Sequence, residues 1–186
     1  MTPRIPPTSP EERDERTQEL MASMFRRPDG TEMNIFATLA HHPALLKRWA
    51  AFGGTLLFGG RLPARDRELL ILRTAWLCDA EYEWGQHVGI ALGAGVTEAE
   101  IERIHAQGAS GPWSATDGAL LRAADELHSS SRITDETWKE LTGAYDHQQL
   151  IEVCMVIGQY HMVAFTLNSL GVEPELGVPE FPEKQS

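Results

Sequence analysis

Glu83 and His87 sit four residues apart in the run Glu83-Trp84-Gly85-Gln86-His87. On a helix that spacing stacks the two side chains one above the other, with Ala80 on the same side one turn earlier. A carboxylate beside an imidazole can fix the ring tautomer or raise its basicity while the ring exchanges a proton with a substrate. The plain alternative is a solvated intrahelical pair, which contributes only tenths of a kcal/mol. Glu68, fifteen residues upstream, adds a second carboxylate to the set. Two carboxylates near one histidine push their proton affinities apart, the condition for an acid and a base in one pocket. Trp84, Tyr82 and Trp76 are candidates to wall such a pocket against water, or are ordinary aromatic packing. Arg73 is the nearby cation available to a substrate carboxylate, its simpler role being a salt bridge with a neighbour.

Helices must position these residues. Arg65 to Leu77, with Leu69, Leu70, Leu72, Arg73 and Trp76, reads as an amphipathic helix, and the chemistry-bearing run predicts the next, over about 80–94. Gly93 and Gly95 end it, and Thr97-Glu98-Ala99-Glu100 is a capping box for a short helix closing near Gly108. Ser114 opens a helix through Ser129, Thr134 opens a short one, and Asp146 with Gln149 caps a long apolar helix from 146 to about 170. Upstream, Ser9-Pro10-Glu11-Glu12 predicts a helix over about 11–26, Pro28-Asp29-Gly30 breaks it, and His42-Pro43 separates an apolar stretch at 35–40 from a helix at 43–58. Residues 1–10 hold four prolines and read as an extended, partly mobile leader, an arm for a neighbouring subunit. No strand alternation is evident and no phrase recurs at a fixed period. The expectation is an all-α, compact multi-helix bundle forming a single domain over 1–186, with N-terminal helices within 11–60 and C-terminal helices within 126–175.

Acidic residues outnumber basic ones 27 to 16, for a formal charge of −11, the wrong sign for a binder of nucleic acid. No unbroken apolar run approaches the roughly 18 residues that cross a bilayer, and no secretory signal opens the chain, so no membrane partner is expected and the cytoplasm is the default compartment. Cys78 and Cys154 do not suggest a disulfide framework. His41-His42 and Tyr160-His161 lack the Glu-x-x-His spacing of di-iron bundles, so no metal is expected, and His161 reads as a hydrogen-bonded core histidine.

Arg67-Glu68-Leu69-Leu70-Ile71-Leu72-Arg73, Cys78 to Trp84, His87 and Ala94-Gly95-Val96-Thr97 together resemble the carboxymuconolactone decarboxylase family and its alkyl hydroperoxidase D relatives, best over residues 43–125. The resemblance implies an all-α bundle that forms dimers, trimers or hexamers. In the peroxidase branch a Cys-x-x-Cys precedes the histidine and an upstream glutamate completes a proton relay; the matching positions here are Ala80, Glu83, His87 and Glu68. Both redox cysteines are therefore replaced, and Cys78 lies about 200° round a helix from Ala80, outside the expected site. What remains is a cofactor-free acid–base set for a small-molecule substrate: His87 carries the proton, Glu83 orients it and Glu68 relays, for decarboxylation, isomerisation or lyase chemistry on a small organic acid or lactone. A thiol hydroperoxidase using Cys78 and a non-catalytic ligand-binding scaffold are the alternatives. Convergence of Glu68, Glu83 and His87 on one cavity separates an enzyme from a scaffold.

Overall fold

The computed structural model describes residues 2–183, and nine α-helices make up the architecture among the described residues. They are α1 (Glu15–Ala22), α2 (Asn34–Leu39), α3 (Pro43–Gly54), α4 (Ala64–Leu77), α5 (Glu81–Gly93), α6 (Glu98–Ala106), α7 (Ala115–Ser130), α8 (Asp135–Ala144) and α9 (His147–Leu170). No strand is formed among the described residues beyond one isolated bridge between Arg26 and Glu32.

Helix starts follow the caps. Thr97, Ser114, Thr134 and Asp146 each accept a backbone N–H of the turn they open, satisfying donors that a helix start leaves unpaired. α9 ends on Gly171 in the left-handed region, φ 67°, where the missing Cβ removes the steric penalty. The N-terminal helix is shorter than its sequence pattern. Ser9 opens only a 3₁₀ turn over Pro10–Glu12, and α1 starts at Glu15 behind Asp14. Arg13 interrupts it in extended conformation, because its buried guanidinium reaches the Thr8 carbonyl at 2.6 Å and Glu32 at 2.7 Å. The leader is likewise tied to its own chain: Arg4 N–H donates to the Leu170 carbonyl and Thr8 N–H to the Ala37 carbonyl. α3 stops at Gly54, and the expected continuation to 58 is a wider π turn over Thr55–Gly59.

α4 is the centre. Leu69, Leu70, Ile71, Leu72 and Ala75 are fully buried, and the helix packs against α5, α7 and α9 at once. Such enclosure buries apolar side chains at roughly 1.5–3 kcal/mol each. α9, 24 residues at mean hydropathy 1.5, has the length and composition of a membrane span. Half of that apolar window is buried within the bundle, Val153, Val156, Ile157 and Ala164 among it. α4 and α5 are joined by a tight reversal in which Asp79 takes a left-handed φ of 51° and the Ala80 N–H donates to the Ala75 carbonyl. Beyond α9 the chain crosses back as a strap. Glu175 in this strap accepts hydrogen bonds from Tyr82 Oη at 2.8 Å and the Asn34 N–H at 2.6 Å, and from Gln86 Nε2.

Candidate active site

Glu68 lies in the middle of α4, completely buried, with Arg67 beside it. The Arg67 guanidinium donates to Glu68 Oε1 at 3.0 Å, and Glu68 Oε2 lies 2.8 Å from His87 Nδ1 on α5. A cation on one oxygen and an imidazole on the other suit an ionised carboxylate, which can only accept. The His87 ring therefore carries its hydrogen on Nδ1, and Nε2 is left with the lone pair; no hydrogen bond to Nε2 is formed among the described residues. Tyr160 of α9 sets its ring perpendicular to His87 at 4.9 Å between centroids.

Glu83 is one turn before His87 on α5 and is also buried. Neither of its carboxylate oxygens has a hydrogen-bond partner among the described residues. Desolvation alone pushes its pKa well above the ordinary carboxyl value, so the group is the neutral acid. Burial, with the negative charge of Glu68 nearby, raises the Tyr160 hydroxyl as well, keeping it a proton donor.

Glu83, His87, Tyr160 and Gln159 line a single cavity of about 890 Å³. Its wall is mainly apolar, with Trp49 and Val163 among it, and exposed Phe25 and Phe58 pair at 4.8 Å where it opens. Gln159 Oε1 is a second buried oxygen with no partner. Arg26, Arg27 and Lys47 also line the cavity. Arg26 and Arg27 are held by Glu32 and Asp29, whereas Lys47, exposed, makes no ion pair within 4 Å among the described residues.

Of Glu68, Glu83 and His87, the last two line the cavity and Glu68 does not, reaching the site only through its contact with His87, so the carboxylates take different roles from those the spacing suggested. Glu68, across the α4–α5 contact, orients the imidazole; Glu83, which shares its helix, does not touch it by hydrogen bond. The difference lies in their partners: Arg67 donates to Glu68, while Glu83 has no hydrogen-bond partner among the described residues and its burial favours the neutral form. Tyr82 lines the cavity with its ring but commits its hydroxyl to Glu175. Trp84 lies outside the cavity, packed against Trp76, His105 and Phe181. One residue beyond Glu83, it points about 100° away round α5. Arg73 also lies elsewhere, with Asp125 at 2.6 Å and the Ile104 carbonyl at 2.9 Å. Five residues past Glu68, it faces the opposite flank of α4. Neither cysteine lines the cavity. Sequence reasoning missed Tyr160, Gln159 and Lys47. Tyr160 and Gln159 sit in a helix so apolar that no period singles them out.

The fold recurs in solved structures, which defines its class: a helical bundle of the alkyl hydroperoxidase D-like type. An alkylhydroperoxidase AhpD core, an uncharacterized peroxidase-related protein from Ralstonia eutropha, superposes with a TM-score of 0.81 at 16% identity, covering 95% of this chain and 94% of that one. A peroxidase-related protein from Silicibacter superposes with 0.80 at 15% identity, covering 96% of each chain. The debrominase Bmp8 in complex with 2,3,4-tribromopyrrole superposes with 0.76 at 14% identity, covering 92% and 91%. Within this fold, residues 43–126, the span of α3 to most of α7, match the model of the carboxymuconolactone decarboxylase family. No curated protein sequence is significantly similar to this chain.

Proposed function

We propose that the chain is an acid–base enzyme acting on a small, largely apolar organic acid or lactone by proton transfer next to a carbonyl group, as in decarboxylation, isomerisation or elimination. The carrying observation is the pairing in one cavity of a base with its lone pair free, His87 Nε2, and a neutral, unpartnered carboxylic acid, Glu83. An α-carbon proton passes to Nε2 as the C–H electron pair moves toward the carbonyl oxygen. Glu83 donates a hydrogen bond to that oxygen as its charge grows, and the Tyr160 hydroxyl supplies a second donor. In a decarboxylation Nε2 first takes the proton of the substrate's carboxyl group, the C–C bond electrons then move toward the carbonyl oxygen as CO₂ leaves, and the imidazolium so formed returns that proton to carbon. A carboxylic acid kept neutral by an apolar site is suited to this, since it stabilises charge only as charge develops. The cationic lining residues Arg26, Arg27 and Lys47 suit an anionic substrate on an otherwise acidic protein. That the similarly folded Bmp8 holds a brominated pyrrole supports a ring-sized occupant for this apolar cavity.

The test is deuterium wash-in. The protein is incubated in D₂O with a panel of lactones, β-keto acids and 2-oxo acids, and exchange at the α-carbon is followed by NMR. His87→Gln is expected to lower exchange of a responding compound by about 10²–10⁴-fold, the usual contribution of a general base. Glu83→Leu, which removes the donor, is expected to lower turnover by about 10²-fold or more, as for loss of an oxyanion donor. Exchange undiminished in His87→Gln sinks the reading. So does hydroperoxide reduction that survives His87→Gln and disappears in Cys78→Ser.

A further inference from the structure

Three residues unused by the cavity converge on the far side of the α4–α5 reversal: Cys78 at the C-terminus of α4, His128 in the last turn of α7 and His161 in the middle of α9. One ligand-type atom from each lies within 4.8 Å of the other two. His128 Nδ1 is 3.0 Å from His161 Nε2 and 3.9 Å from Cys78 Sγ. None of the three lines the cavity described above.

We propose that Cys78, His128 and His161 form a binding site for a borderline-soft divalent transition-metal ion of the zinc type, with solvent in the fourth position. A tetrahedral zinc site with Zn–S of about 2.3 Å and Zn–N of about 2.0 Å places ligand atoms roughly 3.3–3.6 Å apart. The observed 3.0 and 3.9 Å bracket that spacing and all three atoms lie within 4.8 Å of one another, so side-chain adjustments of roughly an ångström close the site. One thiolate and two imidazoles are the donor set that zinc selects over magnesium or calcium, which require oxygen.

The surroundings favour ligation over a chance meeting. His161 Nδ1 donates to the Ile157 carbonyl one turn earlier at 2.8 Å, so its lone pair sits on Nε2, the atom aimed at the cluster. That outer hydrogen bond is the device by which metal-binding histidines are commonly held in one tautomer and orientation. The Phe165 ring packs edge-on to His161 at 5.8 Å and restricts its rotation. The Cys78 carbonyl is anchored by Asn168 Nδ2 at 2.8 Å, which fixes the C-terminus of α4 against α9. Cys78 and His161 are half-buried and His128 is exposed, so the cluster has both an oriented inner wall and an entry for the ion. Loaded, it would tie three helices at one end of the bundle.

The experiment uses the untagged full chain, stripped with a chelator and titrated with Co²⁺ and then with Zn²⁺. One equivalent of Co²⁺ is expected to give a thiolate-to-cobalt band in the near ultraviolet, which one equivalent of Zn²⁺ displaces while raising the thermal midpoint. Cys78→Ser is expected to abolish the band, and His128→Gln and His161→Gln to weaken binding by at least about tenfold. Circular dichroism of the metal-free variants should match the parent, since these side chains are not deep in the core. Absence of saturable binding overturns the proposal. So does a band or an affinity unchanged in these variants.

Discussion

A carboxyl group in an apolar wall with no partner is costly when charged and tolerable when neutral. Glu83 therefore ties stability to pH in a direction opposite to that of a salt-bridged acid. Its folded pKa is raised well above the ordinary carboxyl value, so the native state holds the proton that the unfolded chain gives up. The contribution is fully present below about pH 4.5 and declines as pH rises toward the elevated folded value. Glu83→Gln keeps the shape and removes the titration. Its stability should match the parent near pH 4 and exceed it increasingly above pH 5, read as a growing difference in melting temperature. Thermal melts of both proteins across pH 4–8 measure this, and parallel curves would show that Glu83 is charged.

At the scale of elements, α5 shows how a helix positions a site through the faces it does not use for chemistry. A Cβ on Gly85 would come within 2.9 Å of Val178 and 3.0 Å of the Pro179 carbonyl in the strap, while one on Gly89 meets nothing within 4 Å. Both positions are helical, so alanine gains up to about 1 kcal/mol of propensity at each. Gly89→Ala is expected to stabilise by about that amount. At Gly85 overpacking costs about 1–3 kcal/mol, outweighs the gain and lifts the strap, exposing residues 172–181 to protease. Opposite signs for the two substitutions, in melting temperature and in limited proteolysis, check the strap's seat on α5. Much of this level could be read from the sequence: capping residues Thr97, Ser114, Thr134 and Asp146 marked starts to within a residue, because a cap is a local hydrogen bond. Ser9-Pro10 carried the same signal but yielded one turn, since Arg13 is claimed by Thr8 and Glu32, partners that no local pattern shows. The site divided in the same way. His87 and Glu83 were visible as an intrahelical pair, but their roles depend on Arg67 and Glu68 arriving from α4 and on Tyr160 arriving from α9. The Cys78, His128 and His161 cluster spans 83 residues of sequence and has no spacing to read.

At the scale of the whole molecule, α9 buries one face in the bundle and leaves another apolar. Ile151, Met155, Met162 and Phe165 are 63%, 46%, 45% and 61% exposed, and with Gly158, also exposed, they repeat at intervals of four, three, four and three residues. That is the spacing of a seam between two helices packed side by side, with a glycine at its midpoint where backbones can approach closely. We propose that the partner is another copy of the chain, because a two-fold axis through Gly158 would set Ile151 against Phe165 and Met155 against Met162. Self-association through α9 would account for why a 24-residue helix of membrane-like hydropathy is half covered within one chain. Light scattering after size-exclusion chromatography should give a multiple of the 20.7 kDa chain mass. Joint Met155→Glu and Met162→Glu substitution, which places like charges across that axis, should shift the particle to one chain without altering its circular dichroism. A parent already at one chain mass, or an assembly indifferent to those charges, would remove α9 as the interface.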